Sequence, residues 1–319
     1  GRLMIAFTPP DDTSSSWNAA WIYDDLYVRG LPGPDKDPQI DAITLFTEEN
    51  RILSMDEIQL VSKGLTPEQR EVRLRGAFMH LGGRIYKHFS DRERFWCFVC
   101  CDLVLAHDGL CATCFNQAIG ICHVVEPINL RHEWPIYFAL DPHPRKAHAM
   151  AWYVITPFDE IFQVAELEVD AEPSIVWAKV QDLEKRMRLD NVVKRLIDPN
   201  MGKSPSGSGG RRNRTVEEDF ADVGLRCDDA DDNRDTARSL IRGRLIPDPR
   251  TERPMLSIFN TCSKTIYQMN RYSWDEWSRV RVDLRDPKPT PQDKFSDFPT
   301  LLGYVCNSIP TFRGMYRAP

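Results

Sequence analysis

Short apolar runs broken by proline set the pattern of the second half of the chain. Residues 134–141 (Trp-Pro-Ile-Tyr-Phe-Ala-Leu-Asp) and 191–198 (Asn-Val-Val-Lys-Arg-Leu-Ile-Asp) are rich in β-formers, and each stops at Asp-Pro. Proline cannot donate to a sheet ladder and disfavours helix at the residue before it, so Asp141 and Asp198 are expected at strand ends. Between them, residues 147–155 and 161–169 read as strands joined by a turn at 157–159. Residues 174–188 read as a helix with Val176, Val180, Leu183 and Met187 on one face. Further on, the pattern predicts a short strand at 224–227 and a helix at 233–245 that buries Ala237, Leu240, Ile241 and Leu245. A strand at 255–260 and helices at 262–269 and 293–306 follow, the last with Asp297 near its start.

The first half is less regular. Residues 1–7 and 40–46 have strand-like apolar patterns, and 17–27 a mixed or helical one. Residues 31–38 and 287–291 are linker-like, and Ser54 and Thr66 carry helix-start chemistry. The first residues read as the middle of a strand, so the sequence is expected to be a piece lacking its N-terminal part.

At 319 residues, with 42% hydrophobic and 28% charged residues, the chain can bury a core and form two domains. No apolar run is long enough for a membrane helix. The net charge of −6 gives no overall nucleic-acid signature. Positive charge is instead local: Lys185, Arg186, Arg188, Lys194 and Arg195 lead up to Asp198, and Lys203, Arg211, Arg212 and Arg214 follow it. Such a stretch suits a phosphodiester substrate, or equally a solvated helix face and loop. Gly202-Lys203-Ser204 lacks the upstream glycine and following helix of a phosphate-binding loop.

Six of the nine cysteines crowd between residues 97 and 122. Cys97-x-x-Cys100 and Cys111-x-x-Cys114 form the paired pattern of a tetrathiolate zinc site, in which each pair supplies a tight two-thiolate knuckle. Cys101 or His107 could replace one ligand. Four thiolates leave no place for water, so the expected zinc is structural.

The two strand-ending aspartates have a second reading, since Asp-Pro is also a common way to leave a strand. If their strands are neighbours, however, they lie about 4.8 Å apart, close enough to share a metal cluster. Glu166, on a neighbouring strand, could reach the site, but it reads more readily as a solvent-facing strand residue and is left out of the set.

In this order the motifs resemble the large terminase subunit of tailed bacteriophages. Phe7-Thr8-Pro9 with Trp17, Glu49-Asn50, Arg73 to Gly76, and Gly83-Arg84-Ile85-Tyr86-x-x-Phe89 resemble the end of its motor ATPase domain. His123-Val-Val-Glu-Pro to Trp134-Pro resembles the entry to its nuclease domain. Asp141 and Asp198 match the first two metal-binding aspartates. Residues 219–225 and 230–233 resemble the strand and helix that follow. Asp297-Phe-Pro-Thr300-Leu-Leu-Gly303-Tyr304 resembles the last motif, with Thr300 in place of its aspartate and Gly303 in place of its arginine. No Walker motif is present, and the cysteine cluster lies where an insertion between the domains would fall.

The resemblance implies an α/β architecture: a C-terminal remainder of a P-loop ATPase domain (1–90), a four-cysteine zinc-binding insertion (91–122) and an RNase H-like mixed sheet flanked by helices (123–319). It implies a metal-dependent DNA endonuclease in which Asp141, Asp198 and Asp297, with Asp293 in reserve, hold two Mg2+ or Mn2+ ions. Lys146, Lys203, Arg211, Arg212 and Arg214 would contact DNA phosphates. Double-stranded DNA, a portal protein and a small terminase subunit are the implied partners. ATP and a homo-oligomeric ring would belong to the complete protein, acting in the host cell cytoplasm. The alternative is a DNA- or portal-docking module whose cleavage is weakened by the changes at 300 and 303. A recombinase- or resolvase-type nuclease is opposed by the motor-like segment at 1–89.

Overall fold

A computed structural model describes residues 4–6, 26–30, 36–47, 50, 52–63, 74, 84–143, 146–205, 214–274, 291 and 295–312. The chain divides into two units, Gly1–Arg84 with Trp274–Lys288, and Ile85–Ser273 with Pro289–Pro319. In the first unit the described helices are α1 (Val28–Gly30) and α2 (Met55–Ser62). The Ser54 hydroxyl accepts from the Glu57 amide while the Glu57 carboxylate accepts from the Ser54 amide, the capping box that residue 54 promised. Residues 40–46 form no strand; Ile43 and Leu45 are exposed, and no neighbouring strand among the described residues satisfies their ladder. The motor-like motifs at residues 7–9, 17, 49, 73, 75–76 and 83 lie outside the described residues.

The second unit opens with a small ribbon. Strands β1 (Arg94–Cys97), β2 (Asp102–Val104), β3 (Ala106–His107), β4 (Leu110–Cys111) and β5 (Ala118–Ile121) form a three-stranded sheet, β2-β1-β5, and a two-stranded hairpin, β3-β4. Its apolar content is slight: Trp96, Leu103 and Ile121 in one cluster, and Cys97, Cys111 and Ala118 in another. So small a core needs a further cross-link to hold together. The ribbon runs directly into β6 (Val124–Val125). Between β5 and β6, His123 is fully buried. Its Nδ1 accepts from the Ser90 amide at 3.1 Å, and its Nε2 lies 2.9 Å from the Leu245 carbonyl, which fixes a neutral imidazole protonated at Nε2. Residues 85–89 pack into the same unit, where Ile85, Tyr86 and Phe89 are buried.

The main sheet continues with β7 (Ile136–Asp141), β8 (His148–Ile155) and β9 (Ile161–Val169), an antiparallel meander. Helix α3 (Pro173–Met187) then carries the chain to β10 (Val192–Ile197), which pairs parallel to β7. After α4 (Pro199–Gly202) and α5 (Val216–Asp222), β11 (Asp228–Asp229) adds parallel to β10. Helix α6 (Arg234–Leu245), the hairpin β12 (Pro247–Asp248) and β13 (Arg253–Pro254), β14 (Leu256–Phe259), α7 (Ser263–Arg271) and α8 (Asp297–Asn307) complete the unit. The seven strands are ordered β11-β10-β7-β8-β9-β14-β6. A three-strand meander with two parallel strands added beside its first member is the RNase H-like arrangement. The expected strand at 224–227 is displaced to β11. The segment resembling the strand, 219–225, is instead mostly α5, which Thr215 and Glu218 start with a second capping box.

Helices cover the two faces of this sheet, which explains why β8 is apolar almost throughout rather than alternating. Val176, Val180 and Leu183 of α3 are buried. From the same helix Glu184 accepts from Trp152 Nε1 at 2.9 Å and from both Arg195 terminal nitrogens at 2.7 and 2.8 Å. The Arg195 guanidinium lies over Phe138 and Trp177. Arg195 is thus a structural cation, not a substrate contact. Its partner faces solvent too little for screening to dissolve the pair. Glu184→Ala should therefore lower the unfolding free energy by about 2–4 kcal/mol, because Arg195 and Trp152 lose their acceptor together. An unchanged urea midpoint would refute this account.

Candidate metal centres

The register of β10 on β7 builds the first centre. Ile197 pairs with Leu140, and the Asp198 amide donates to the Leu140 carbonyl at 3.0 Å, so Asp198 stands beside Asp141 at the carboxyl ends of adjacent parallel strands. The proline after Asp198 occupies the first position of α4, where its missing N–H costs nothing. Asp198 caps that turn: Oδ1 accepts from the Asn200 and Met201 amides at 2.7 and 3.0 Å. Its Oδ2 accepts from the Tyr304 hydroxyl at 2.5 Å. Two donors fill Oδ1, and one lone pair remains on Oδ2, so Asp198 can serve a cation through a single oxygen.

Asp297 enters from α8. The serine before it makes no side-chain cap, and Gln268 of α7 takes over that role. Gln268 Oε1 accepts from the Phe298 amide at 2.8 Å, while its Nε2 lies 3.4 Å from Asp297 Oδ2. Lys146, on the connection between β7 and β8, brings Nζ to 3.7 Å from Asp297 Oδ1. Asp293, in reserve for Asp297, lies outside the described residues.

The three aspartates lie close enough to feel one another's charge. The Asp141 carboxyl is pushed up to about 7, first by burial and then by the negative charges of Asp198 and Asp297, while Lys146 and Arg234 oppose the rise. The three do not bring one oxygen each to within 4.8 Å of one another, a condition that only the four ribbon cysteines meet among the described residues. Like charges repel, and ligands of two ions about 3.5–4 Å apart spread more widely than ligands of one. The donors are all hard oxygens, which suit Mg2+ or Mn2+.

The second centre is closer-knit. Cys97, Cys100, Cys111 and Cys114 place their sulfurs within 4.8 Å of one another, with Cys97–Cys114 at 3.4 Å and Cys100–Cys111 at 3.7 Å. A tetrahedron with Zn–S bonds of about 2.3 Å has edges of about 3.8 Å, so the set fits zinc. Each knuckle closes the same way. The residue after its second cysteine, Cys101 or Phe115, turns left-handed, and backbone amides point back at sulfur, from Cys100 to Cys97 and from Thr113 to Cys111. Cys101 is exposed, with its thiol on the Phe98 carbonyl, and His107 is exposed on β3; neither joins the set.

Other expected residues are placed as follows. Lys203 is exposed and pairs with Asp229. Arg214 folds onto α5, 3.0 Å from Asp219 and 2.5 Å from Asp222, which draws it away from an approaching phosphate. Arg211 and Arg212 lie outside the described residues. Glu166 does not face solvent: its carboxylate accepts from the Lys264 and Thr265 amides, both at 2.8 Å, and from the Thr265 hydroxyl, anchoring the start of α7. Gly303 is a matter of space, since a Cβ there would come 3.0 Å from the Ala237 Cβ on α6. Tyr304 was missed in the sequence, although it lies two helical turns after Asp297 and so on the same face of α8.

A carboxyl whose folded pKa exceeds its unfolded value of 3.8 keeps its proton longer in the folded chain. Metal-free stability conferred by Asp141 is then fully present at acid pH and lost as pH rises from about 4 through about 7. Asp141→Asn should remove that loss, making the metal-free variant more stable than the unmodified chain by roughly 1–4 kcal/mol at pH 8 but not at pH 4. Urea unfolding at both pH values checks this; an equal gap at both pH values would contradict it.

No protein-family model matches the chain, and no curated protein does so significantly. Several solved structures are similar to it. The large terminase from a thermophilic bacteriophage, in complex with ADP, is 13% identical with a TM-score of 0.49, over 91% of this chain and 59% of that one. The P22 large terminase nuclease domain is 13% identical with a TM-score of 0.41, over 58% of this chain and 87% of that one. The large terminase nuclease from thermophilic phage G20c with bound magnesium is 7% identical with a TM-score of 0.36, over 55% and 82%. This chain spans between 53% and 59% of the length of the first of these terminases in its several crystal structures. At these identities and scores the likenesses carry no residue roles, and what the centres can do follows from their own side chains.

Proposed function

We propose that the chain is part of a phage large terminase and cuts DNA by metal-dependent phosphodiester hydrolysis at Asp141, Asp198 and Asp297. The observation that carries this is the side-by-side placement of Asp141 and Asp198 on adjacent parallel strands, with Asp297 near enough for its charge to act on Asp141. The terminase-like order of motifs supports the packaging role. Bound there, two divalent ions would lower the pKa of an attacking water and neutralise the leaving 3′ oxygen. Asp141, which feels the charge of both other carboxylates, would hold the ions together with them. Asp198 contributes its one free Oδ2 position, oriented by Tyr304 and by two amides. Asp297 contributes from a helix start fixed by Gln268. Lys146 sits at the rim, where a DNA phosphate can exchange for its weak contact with Asp297. Contacts of this kind position the duplex without reading bases.

In the same reading, residues 1–90 are the end of the motor domain, 91–122 a zinc insertion and 123–319 the nuclease. The zinc is structural and cross-links a ribbon with little core of its own. The packaging partners are duplex DNA, a portal protein and a small terminase subunit, and assembly takes place in the host cell cytoplasm. No described helix is long and apolar enough to cross a membrane.

Nicking of supercoiled plasmid in Mn2+ is the direct test. The unmodified chain should convert plasmid to open circles, and Asp141→Asn and Asp198→Asn should each reduce the rate by about 100-fold or more. Tyr304→Phe should slow it by about 10- to 150-fold, the scale of one hydrogen bond to a charged group. An intact plasmid, with the chain folded and duplex DNA still bound, would favour the docking module. For the ribbon, one zinc per chain is expected by metal analysis, and Cys100→Ser with Cys111→Ser should abolish it; retention of zinc by that variant would refute the assignment.

A further inference from the structure

A charge is missing from the proposed centre as its motif is written, and the fold supplies one from elsewhere. Position 303, where the resemblance places an arginine, is a glycine packed closely on α6: a Cβ there would come 3.0 Å from the Ala237 Cβ, tight enough that the neighbour must give by a few tenths of an ångström. Helix α6 begins with Arg234, about one turn before Ala237. A cleft between α6 and α8 has Asp231, Asp232, Arg234, Ala237, Gly303 and Tyr304 among its lining residues, so the Arg234 side chain opens onto the space beside Gly303 and beside the tyrosine that holds Asp198.

The position of Arg234 is built rather than incidental. The loop before it is pinned from both sides. Asn307 Nδ2 of α8 donates to the Asp231 and Asn233 carbonyls at 2.8 and 3.2 Å, and Asn200 Nδ2 of α4 donates to Asp232 at 2.7 Å. Asn233 then caps α6 through the Thr236 amide at 3.1 Å. The turn that follows Asp198 and the helix that carries Asp297 therefore jointly fix where Arg234 starts. Its charge is felt by both Asp141 and Tyr304.

Most of the cations nearby are committed. Lys203 has Asp229, Arg214 has Asp219 and Asp222, and Arg238, one turn further along α6, has Asp235 at 2.6 Å, while Lys146 has only its weak contact with Asp297. Arg234 is exposed, and no ion pair or hydrogen bond engages its guanidinium among the described residues. A planar fork of donors left open beside a carboxylate centre matches the oxygens of a phosphodiester.

We infer that Arg234 is the substrate-phosphate contact of this centre, supplied by α6 across the cleft where α8 has only Gly303. The inference rests on the phosphodiester reading above. The contact is to non-bridging oxygens of the strand lying over Asp141, with Lys146 on the Asp297 side, so that a cation stands near either end of the acidic cluster.

The test uses the full chain with Arg234→Ala, Arg234→Lys and Asp141→Asn. In Mn2+, Arg234→Ala should nick plasmid about tenfold or more slowly than the unmodified chain, with Arg234→Lys intermediate, because lysine keeps the charge and loses the fork. Duplex binding is read separately by fluorescence anisotropy in Ca2+, in an Asp141→Asn background that does not cut. There Arg234→Ala should weaken binding several-fold and reduce the slope of log affinity against log salt by about one. A merely structural role would not change that slope. Nicking at the unmodified rate, or an unchanged affinity and salt slope, overturns the Arg234 assignment while leaving the nuclease reading intact. An uncut plasmid with binding that still depends on Arg234 overturns the nuclease reading and keeps the phosphate contact. Neither cutting nor binding by any form overturns both.

Discussion

The parallel pairing of β10 with β7 is the constraint on which the carboxylate centre depends. Because side chains alternate along a strand, a slip of one residue would send the neighbour of Asp141 to the other face of the sheet. The register is held from several directions. Arg195 is locked to Glu184 behind the sheet, the Asp198 amide closes the last rung with Leu140, and the turn after Asp198 is capped by that residue's own carboxylate. The same atoms that end the strand therefore aim the acid. Tyr304 extends the arrangement across to α8, so the position of one carboxylate is coupled to the helix that carries another.

The two proposed metal centres balance charge differently. The ribbon brings four soft sulfurs to the corners of a small tetrahedron and closes them with amides from its own knuckles. The sheet gathers hard oxygens at a looser spacing, and at Asp141 burial and two carboxylates together outweigh two cations. One arrangement replaces a missing hydrophobic core; the other holds charge in reserve for something that must arrive and leave.

Strands β7, β8, β9, β10 and β14 and helices α3, α6 and α7 were legible because their apolar periods match their environments, and proline or asparagine marks an end of β7, β10, β14, α3 and α6. Adjacency of Asp141 and Asp198 was legible only as a condition, since sequence gives strand ends but not strand order. Strand β11 was misplaced because it is two acidic residues long and owes its existence to β10, not to any propensity of its own. Glu166 and Arg195 were misjudged for a common reason: each is a charged residue whose partner comes from a distant element, and periodicity cannot see a partner. Gly303 looked like a defect in a motif, and the structure adds that it sits in close contact with Ala237 of α6.

The buried His123 has a mechanical meaning. It sits where the ribbon ends and the main sheet begins, with only Cys122 and His123 between β5 and β6, and it is fastened to residue 90 on one side and residue 245 on the other. A joint so short and so tightly bonded has no slack. The exit of the ribbon is thus pinned at once to its own entry at Ser90, to the end of α6 at Leu245 and, through the chain, to the edge strand.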